Sequence, residues 1–480
     1  MRHLFIVAIT IFIVLFQNAF AQDTWSLQRS VQYALDHNIS IQQNVLNERL
    51  ARLTLQQSRL SQLPNANISS NYGRSYGRSV DPTTNQFVSG SSYDFMGVSG
   101  NADVLLFGWF QKRNTIAGNR FRLEAAGAEL DQLKDDVSLN VATGYLRALL
   151  AREQVRVSEK QVDLSQAQLN QTRSFAQAGR VPELNVAQLE SQLASDSANL
   201  ITAIADYTAA ILDIKALLNL DFGTPYDIEV PQVTLDDEMM LAALTPEEIY
   251  TAASKNMGSI RSRQLRLSAA EKSLATAKGA LWPALSLGAQ IGTNYSTTVR
   301  DVKITGATLA PIPGSYAVDS VNNSVYQVFQ TTPTYTTNTT QLFTQFDNNF
   351  RQTIALTLNL PVFNAWQAQY GVRQARITVL SEQLNKYQAE LKLKQDVYKA
   401  YNDARNSLQK YYAAERAVNA AQRAFDFAQK RYDIGLTNTV EYLTVQNTLY
   451  ASESRRAGAK YDLIFKLKVI DYYLGKELKL

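Results

Sequence analysis

Leu106-Phe107-Gly108-Trp109 and Val362-Phe363-Asn364-Ala365-Trp366 are two versions of one phrase. Phe107 and Phe363 stand 363 − 107 = 256 residues apart, and the same offset pairs Val141 with Val397, Tyr145 with Tyr401, Gly179 with Gly435 and Leu218 with Leu474. From Phe107 to Leu218 the match needs no gap. Upstream, Leu63-Pro64 matches Trp282-Pro283 at 283 − 64 = 219, so the second half carries a longer loop. Self-similarity at a fixed period marks an internally repeated architecture. Each half reads as a helix, a proline, an alternating stretch, Phe-Gly or Phe-Asn, a very long helix, a glycine turn and another helix.

Residues 109–178 contain no proline, and most of them favour helix. Val141, Ala148, Val155, Val162 and Leu169 recur every seventh residue, as do the mostly small Val137, Gly144, Ala151, Ser158 and Ser165. The second half repeats this with Val397, Ala404, Tyr411, Val418 and Phe425, and with Leu393, Ala400, Ser407, Ala414 and Ala421. A strict seven-residue period makes helices supercoil, and small residues let backbones approach. A helix of this kind is about 105 Å long, beyond any ordinary globular domain. Pro182 and Glu183 open a shorter helix ending near Leu218, with proline suited to the first turn, and residues 39–63 form another. Laid end to end, these two match one long helix in length. A long soluble coiled coil is the plainer reading of the same pattern.

Between the helices the period changes to two. Ile354, Leu356, Leu358 and Leu360 alternate with Ala355, Thr357 and Asn359. Val98, Gly100, Ala102, Val104 and Leu106 alternate with Ser99, Asn101 and Asp103, and Leu285, Leu287, Ala289 and Ile291 alternate with smaller or polar residues. Ala66, Ile68 and Tyr72 make a weaker fourth case. Such alternation is a strand with one face on something apolar. That can be lipid in a transmembrane barrel, or a sandwich core, for which four strands are thin. Four strands cannot close a barrel, and lipid forbids an open sheet, so membrane strands here require several chains to share one barrel. The connection at 81–92 is short. The one at 299–349 is a long loop rich in Thr, Asn and Tyr, as at the extracellular end of such barrels. Residues 219–245, with Pro225, Pro231 and Asp236-Asp237-Glu238, read as a small irregular segment beside the helices.

The 480 residues carry a net charge of +4 with no basic stripe or acidic tail, which gives no footing for nucleic acid. The chain has no cysteine and only two histidines, His3 and His37. Thiol chemistry is excluded, and histidine triads and zinc sites are improbable. No phosphate-loop, G-x-S-x-G, G-x-G-x-x-G or H-E-x-x-H pattern occurs. His37 reads as a surface residue at a helix end, and Asp135-Asp136 as a solvated helix face. Arg2, the apolar residues 4–16 and Ala19-Phe20-Ala21 read as a secretory leader, so the mature chain is expected to begin at Gln22. No later apolar run is long enough for a membrane helix.

The leader, the repeat and the strand-to-long-helix order resemble the TolC-like outer-membrane efflux family, over essentially the whole mature chain. The most specific stretch is Arg431-Tyr432-Asp433-Ile434-Gly435-Leu436-Thr437-Asn438-Thr439-Val440-Glu441-Tyr442-Leu443, which resembles the family's helix–turn–helix at the periplasmic tip. Its first-half counterpart is Ala178-Gly179-Arg180-Val181-Pro182-Glu183-Leu184-Asn185. The resemblance implies a homotrimer sharing a twelve-stranded outer-membrane barrel, four strands per chain, above a tunnel of long helices. It implies a passive duct for efflux or type I secretion, with a periplasmic adaptor (membrane fusion protein) and an inner-membrane pump as partners, outer-membrane lipid around the barrel, and no cofactor. Adaptor docking falls on Gly179, Arg180, Val181, Ile434, Gly435 and Leu436. Tyr432 matches the tyrosine of the tip constriction. Glu441 matches the first of two acidic ring positions, and the second is Thr444. A gate arginine is replaced by Thr437 and its aspartate partner by Asn185.

The expectation is therefore a mainly α, α+β membrane protein in two tandem repeats, and not an enzyme. Its parts are a signal peptide at 1–21, a first repeat at 22–220, a linker at 221–244 and a second repeat at 245–480. A periplasmic coiled-coil scaffold or adaptor is the alternative, and it would be soluble without detergent.

Overall fold

A computed structural model describes residues 24–81, 83–88, 92–231 and 244–476. The expected leader and the acidic run at 236–238 lie outside the described residues. In chain order the elements are β1 (Thr24–Trp25), α1 (Leu27–His37), α2 (Ile39–Leu60), β2 (Asn65–Ser75), β3 (Ser79–Val80), β4 (Phe87–Val88), β5 (Tyr93–Phe107), α3 (Gln111–Gln177) and α4 (Glu183–Leu218). There follow β6 (Asp227–Ile228), α5 (Pro246–Asn256), α6 (Gly258–Gly279), β7 (Ala284–Ser296), β8 (Arg300–Val318), β9 (Val325–Thr339), α7 (Leu342–Asn348), β10 (Arg351–Asn359), α8 (Gln367–Asp433) and α9 (Thr439–Leu474).

The long helices α3 and α8 each span 67 residues, and both ends differ by 256 (367 − 111 and 433 − 177). The ends of α4 and α9 differ by the same 256, and those of α1 and α5, and of α2 and α6, by 219. Even the corner into each long helix repeats. Trp109 and Phe110 have φ of 47° and 61°, and Ala365 and Trp366 have 48° and 66°. Left-handed backbone is rare for bulky residues, so its recurrence at equivalent positions makes it a built corner. Pro182 stands one residue outside α4, as its cap, and not inside the first turn.

The chain forms two compact units. The helical unit holds residues up to 55, 117–271 and 376–480. Both seven-residue series turn inward: Val141, Ala148 and Leu169 are buried with Ser158 and Ser165, and Val397, Ala404 and Phe425 with Leu393 and Ser407. Around Tyr145 the packing is aromatic and polar at once. Its buried hydroxyl shares its proton between the Trp25 and Glu229 carbonyls at 2.8 and 2.7 Å. Trp25 pairs β1 with β6 and stacks near Tyr33 and Tyr226 at 5.2 Å. The described part of the 219–245 segment is thus pinned to the long helix. His37 is exposed at the end of α1, stacked on Tyr33 at 4.0 Å. Asp136 departs from the solvated face expected of it. It is half-buried and accepts from the Tyr472 hydroxyl at 2.7 Å and Gln132 at 2.8 Å.

The sheet unit holds residues 56–116 and 272–375. Its main sheet is antiparallel, in the order β10-β7-β5-β2. Register sorts most of the side chains by face. Ala66, Ala102, Ala289 and Ile354 lie in one row, and Val104, Leu287 and Leu356 in another, on one face. Asn67, Asn101, Gln290 and Thr353 lie in a row on the other. The expected long loop at 299–349 is instead the hairpin β8–β9 followed by α7. Threonine and tyrosine suit strands as well as loops, and composition alone hid the alternation.

At the loop end of this sheet the buried residues are polar. Asp81, Ser296, Thr340 and Gln345 are all buried. The Asp81 carboxylate accepts from the Ser296 and Thr298 hydroxyls and from the amides of Thr83 at 2.7 Å and Thr84 at 3.2 Å. Burial pushes its pKa up, but those hydrogen bonds outweigh burial and hold it below the usual carboxylate value. A depressed native pKa stabilises above the unfolded value and is lost only as pH falls through the native one. Protection of the Thr83 and Thr84 amides, measured by hydrogen exchange corrected for intrinsic rate, is therefore expected to persist down through the ordinary carboxylate range. Asp81→Ala should remove it at every pH and cost about 1–3 kcal/mol.

Candidate pore gate at the helix turns

The two glycine turns are built identically. After α3, the Gly179 amide donates to Ala176 O and the Arg180 amide to Phe175 O, both at 2.9 Å. After α8, Gly435 donates to Tyr432 O at 3.0 Å and Leu436 to Arg431 O at 2.8 Å. This double bond is the Schellman cap, which needs a left-handed residue, and the glycines have φ of +70° and +77°. The turns differ in what they display. Arg180 folds over the Phe175 ring at 4.4 Å and Val181 is half-buried, whereas Ile434 and Leu436 are each 67% exposed.

Tyr432 sits inside the packing of the chain's own helices. Its ring stacks on Tyr442 at 4.7 Å, and its hydroxyl lies 3.1 Å from that of Thr172 and 3.4 Å from that of Thr439. Phe425, Ala428 and Leu449 complete the cluster. One tyrosine thereby ties the ends of α3, α8 and α9 together. Gln171 adds a bond to Asp433 at 3.1 Å, and Arg173 one to Glu190 at 2.6 Å.

Glu441 lies exposed in the first turn of α9, where Asn438 caps the helix by accepting the Glu441 amide at 2.7 Å. Arg431 stands 3.6 Å from its carboxylate, with both side chains about half exposed. Thr444 is exposed one turn on, and its hydroxyl donates to Val440 O at 2.8 Å. Thr437 is buried, and among the described residues its hydroxyl meets no hydrogen-bond partner. Asn185 lies in the first turn of α4, half-buried, with its amide on Pro182 O at 3.0 Å. No hydrogen bond joins Thr437 to Asn185 among the described residues.

Sequence reading missed Arg431 as the partner of Glu441. The two lie ten positions apart and meet only because the cap folds the chain back. It missed a buried polar layer too. Asp196 accepts from Ser165 at 2.5 Å, Gln161 at 3.3 Å and Gln192 at 2.9 Å, and Gln446 donates to Ser165 at 3.2 Å. The signal was present in the small series, which changes from Gly144 and Ala151 to Ser158 and Ser165.

The profile of the outer membrane efflux protein family matches residues 30–220 and 249–475. The chain belongs to that family. The match covers both helical halves and both glycine turns, and it places this efflux family member in the outer membrane. Outer membrane protein TolC of Escherichia coli K12 is 23% identical over 339 residues, 70% of this chain and 61% of that protein. The pyoverdine export outer membrane protein OpmQ of Pseudomonas putida is 25% identical over 182 residues, 36% of each chain. The chain thus spans about three-fifths of the length of the TolC proteins it matches. Among solved structures, VceC of Vibrio cholerae superposes with a TM-score of 0.71 at 15% identity, over 94% of this chain and 96% of that one. The open-state MtrE channel of Neisseria gonorrhoeae does so with 0.69 at 18%, over 94% and 89%. At these identities the likeness establishes the fold, that of outer-membrane efflux channels.

The caps supply a direct test. A Cβ on Gly435 meets open space but demands left-handed backbone, so Gly435→Ala is expected to cost about 1–2 kcal/mol. A Cβ on Gly458, within α9, also meets open space, but there the backbone is helical, and Gly458→Ala should gain about 0.5–1 kcal/mol. Thermal unfolding in detergent reads both, and equal shifts would remove the cap from the account.

Proposed function

We propose that three copies of this chain form one passive export duct, a shared twelve-stranded barrel in the outer membrane continued by a tunnel of helices in the periplasm. The observation that carries this reading is the four-stranded sheet, apolar on one face and open at β2 and β10. Lipid tolerates such a sheet only when other chains close it. The nine to fifteen residues of its strands suit a tilted bilayer crossing. The helices support the same assembly. Ile39, Leu46, Leu53 and Leu60 recur every seventh residue on α2, all more than half exposed. On α8 the exposed series is Ile377, Leu384, Leu391 and Tyr398. Apolar seams with this period are what a neighbouring helix covers. The coincident helix ends support two tandem structural repeats in each chain. The number three comes from the family resemblance.

In this reading the turns are the constriction, and Glu441 contributes one carboxylate per copy to a ring that favours cations. Arg431 beside it offsets part of that charge, and Thr444 adds none. Tyr432 holds the turn closed through Thr172 and Thr439. The exposed Ile434 and Leu436, with Gly179, Arg180, Val181 and Gly435, form the surface for a periplasmic adaptor, and an inner-membrane pump supplies the energy. The duct itself does no catalysis.

Purified trimer in a planar bilayer is expected to pass small, cation-favouring currents. Glu441→Gln should reduce cation selectivity, and Arg431→Gln should raise it. A soluble, non-conducting species would sink the duct and leave the coiled-coil scaffold. Assembly in the outer membrane tests the faces of the sheet. Leu356→Arg, on the apolar face, should cost about 2–4 kcal/mol near the midplane, while Thr357→Arg, on the polar face, should assemble normally.

A further inference from the structure

The second half owes its extra length to β8 and β9, of 19 and 15 residues, which among the described residues pair only with each other. Directly opposed residues share a face. Val302 with Thr337, Ile304 with Tyr335, Leu309 with Thr331, and Pro311 with Phe329 lie on one, mainly apolar, face. Lys303 with Thr336, Thr308 with Thr332, and Ala310 with Gln330 lie on the other. A bulge at Thr305 shifts the register by one residue, so that Leu309 and Pro311 fall on the same face as Ile304, and a second irregularity follows between Pro311 and Tyr316. The polar face is a threonine ladder, with Thr332 donating to Thr308 O at 2.9 Å. The apolar face is uncovered: Ile304 is 68% exposed, Leu309 71%, Phe329 54% and Tyr335 57%. A two-stranded hairpin is marginal by itself, and an apolar patch of this kind marks a binding surface.

We propose that the apolar face of each β8–β9 hairpin packs against the same face in the other copies of this chain, joining the hairpins into one cap over the mouth of the duct. The proposal rests on the shared-barrel reading, and three observations choose this occupant. The hairpin starts three residues beyond β7, and its root is fixed there. The Thr340 amide donates to Val299 O at 3.0 Å, and the buried Gln345 donates to the carbonyls of Ser296 and Thr340, both at 2.9 Å. Copies that close the sheet edges therefore bring their hairpins to the same place. Lipid does not cover the face, because the 13 residues of β7 already meet the span of a bilayer and β8 begins after them. The face also complements itself, since it is largely aliphatic and aromatic and its one charge, Arg300 opposite Thr339, stays at the root, with Asp301 and Lys303 on the other face. Three hairpins supply six strands. About eight are needed before an interior is just wide enough for side chains to fill, so the joined faces make a dry core.

A chain without cysteine makes the test direct. Leu309→Cys and Phe329→Cys on the apolar face, and Thr332→Cys on the polar face, are treated with a short bismaleimide in native outer membranes. Oligomer size is measured on the same samples after extraction. Covalent dimers from the first two variants and none from the third are expected. Trimers without those dimers, or with equal linking at Thr332→Cys, would overturn the cap and leave the duct standing. Apolar-face cysteines that are shielded from a soluble maleimide yet do not cross-link would also overturn it, with lipid or another protein as the cover. A monomer would remove the duct reading and the cap with it.

Discussion

A strand at the edge of a sheet carries a row of amides and carbonyls with no partner. Water solvates such a row, and hydrocarbon does not. In this chain β2 and β10 are both edges, and register has gathered most of the sheet's large aliphatic side chains onto one face, with Leu105 opposite Ser286 as the exception. Those two facts cannot stand together in lipid within a single chain. The exposed seven-residue seams on α2 and α8 state the same condition in another form, as apolar rows that the chain's own helices leave uncovered. In the shared-barrel reading, further copies of the chain complete both the sheet edges and the seams.

Much of this was legible from spacing. A gapless offset of 256 located both ends of the long helices, and most of the inward series beginning at Val141 and Val397 is buried, with Val155, Val162 and Tyr411 half-buried. Helices report themselves because packing depends on a period that survives substitution. The hairpin at 300–339 was not legible as structure. Threonine, asparagine and tyrosine satisfy a loop by composition, and the bulge at Thr305 shifts the alternation where a reader would count it. The tip was legible in its glycines, whose left-handed φ leaves little choice of residue. The pairing of Arg431 with Glu441 and the bonding of Tyr432 to Thr172 were not, because each joins positions that only the finished turn brings together.

The polar contacts also differ in kind along the helical unit. Asp196, with Ser165 and Gln161, is enclosed, and removing one member leaves the others desolvated and unmatched. Arg431 and Glu441 are half exposed, so water and salt weaken their attraction. The enclosed layer holds the helices in register. The exposed pair can part at little cost, as the proposed gate would require.

The two turns share one cap geometry, yet only one half of the chain carries the hairpin. Three such chains in a ring would show six nearly equivalent caps to anything approaching the helix turns, but only three hairpins at the loop end of the sheet. Such a ring would be pseudo-sixfold at one level and strictly threefold at the other. A partner reading the caps alone could therefore bind in twice the copy number of the duct, and discrimination between alternate sites would fall to the side chains that break the equivalence, Arg180 against Leu436.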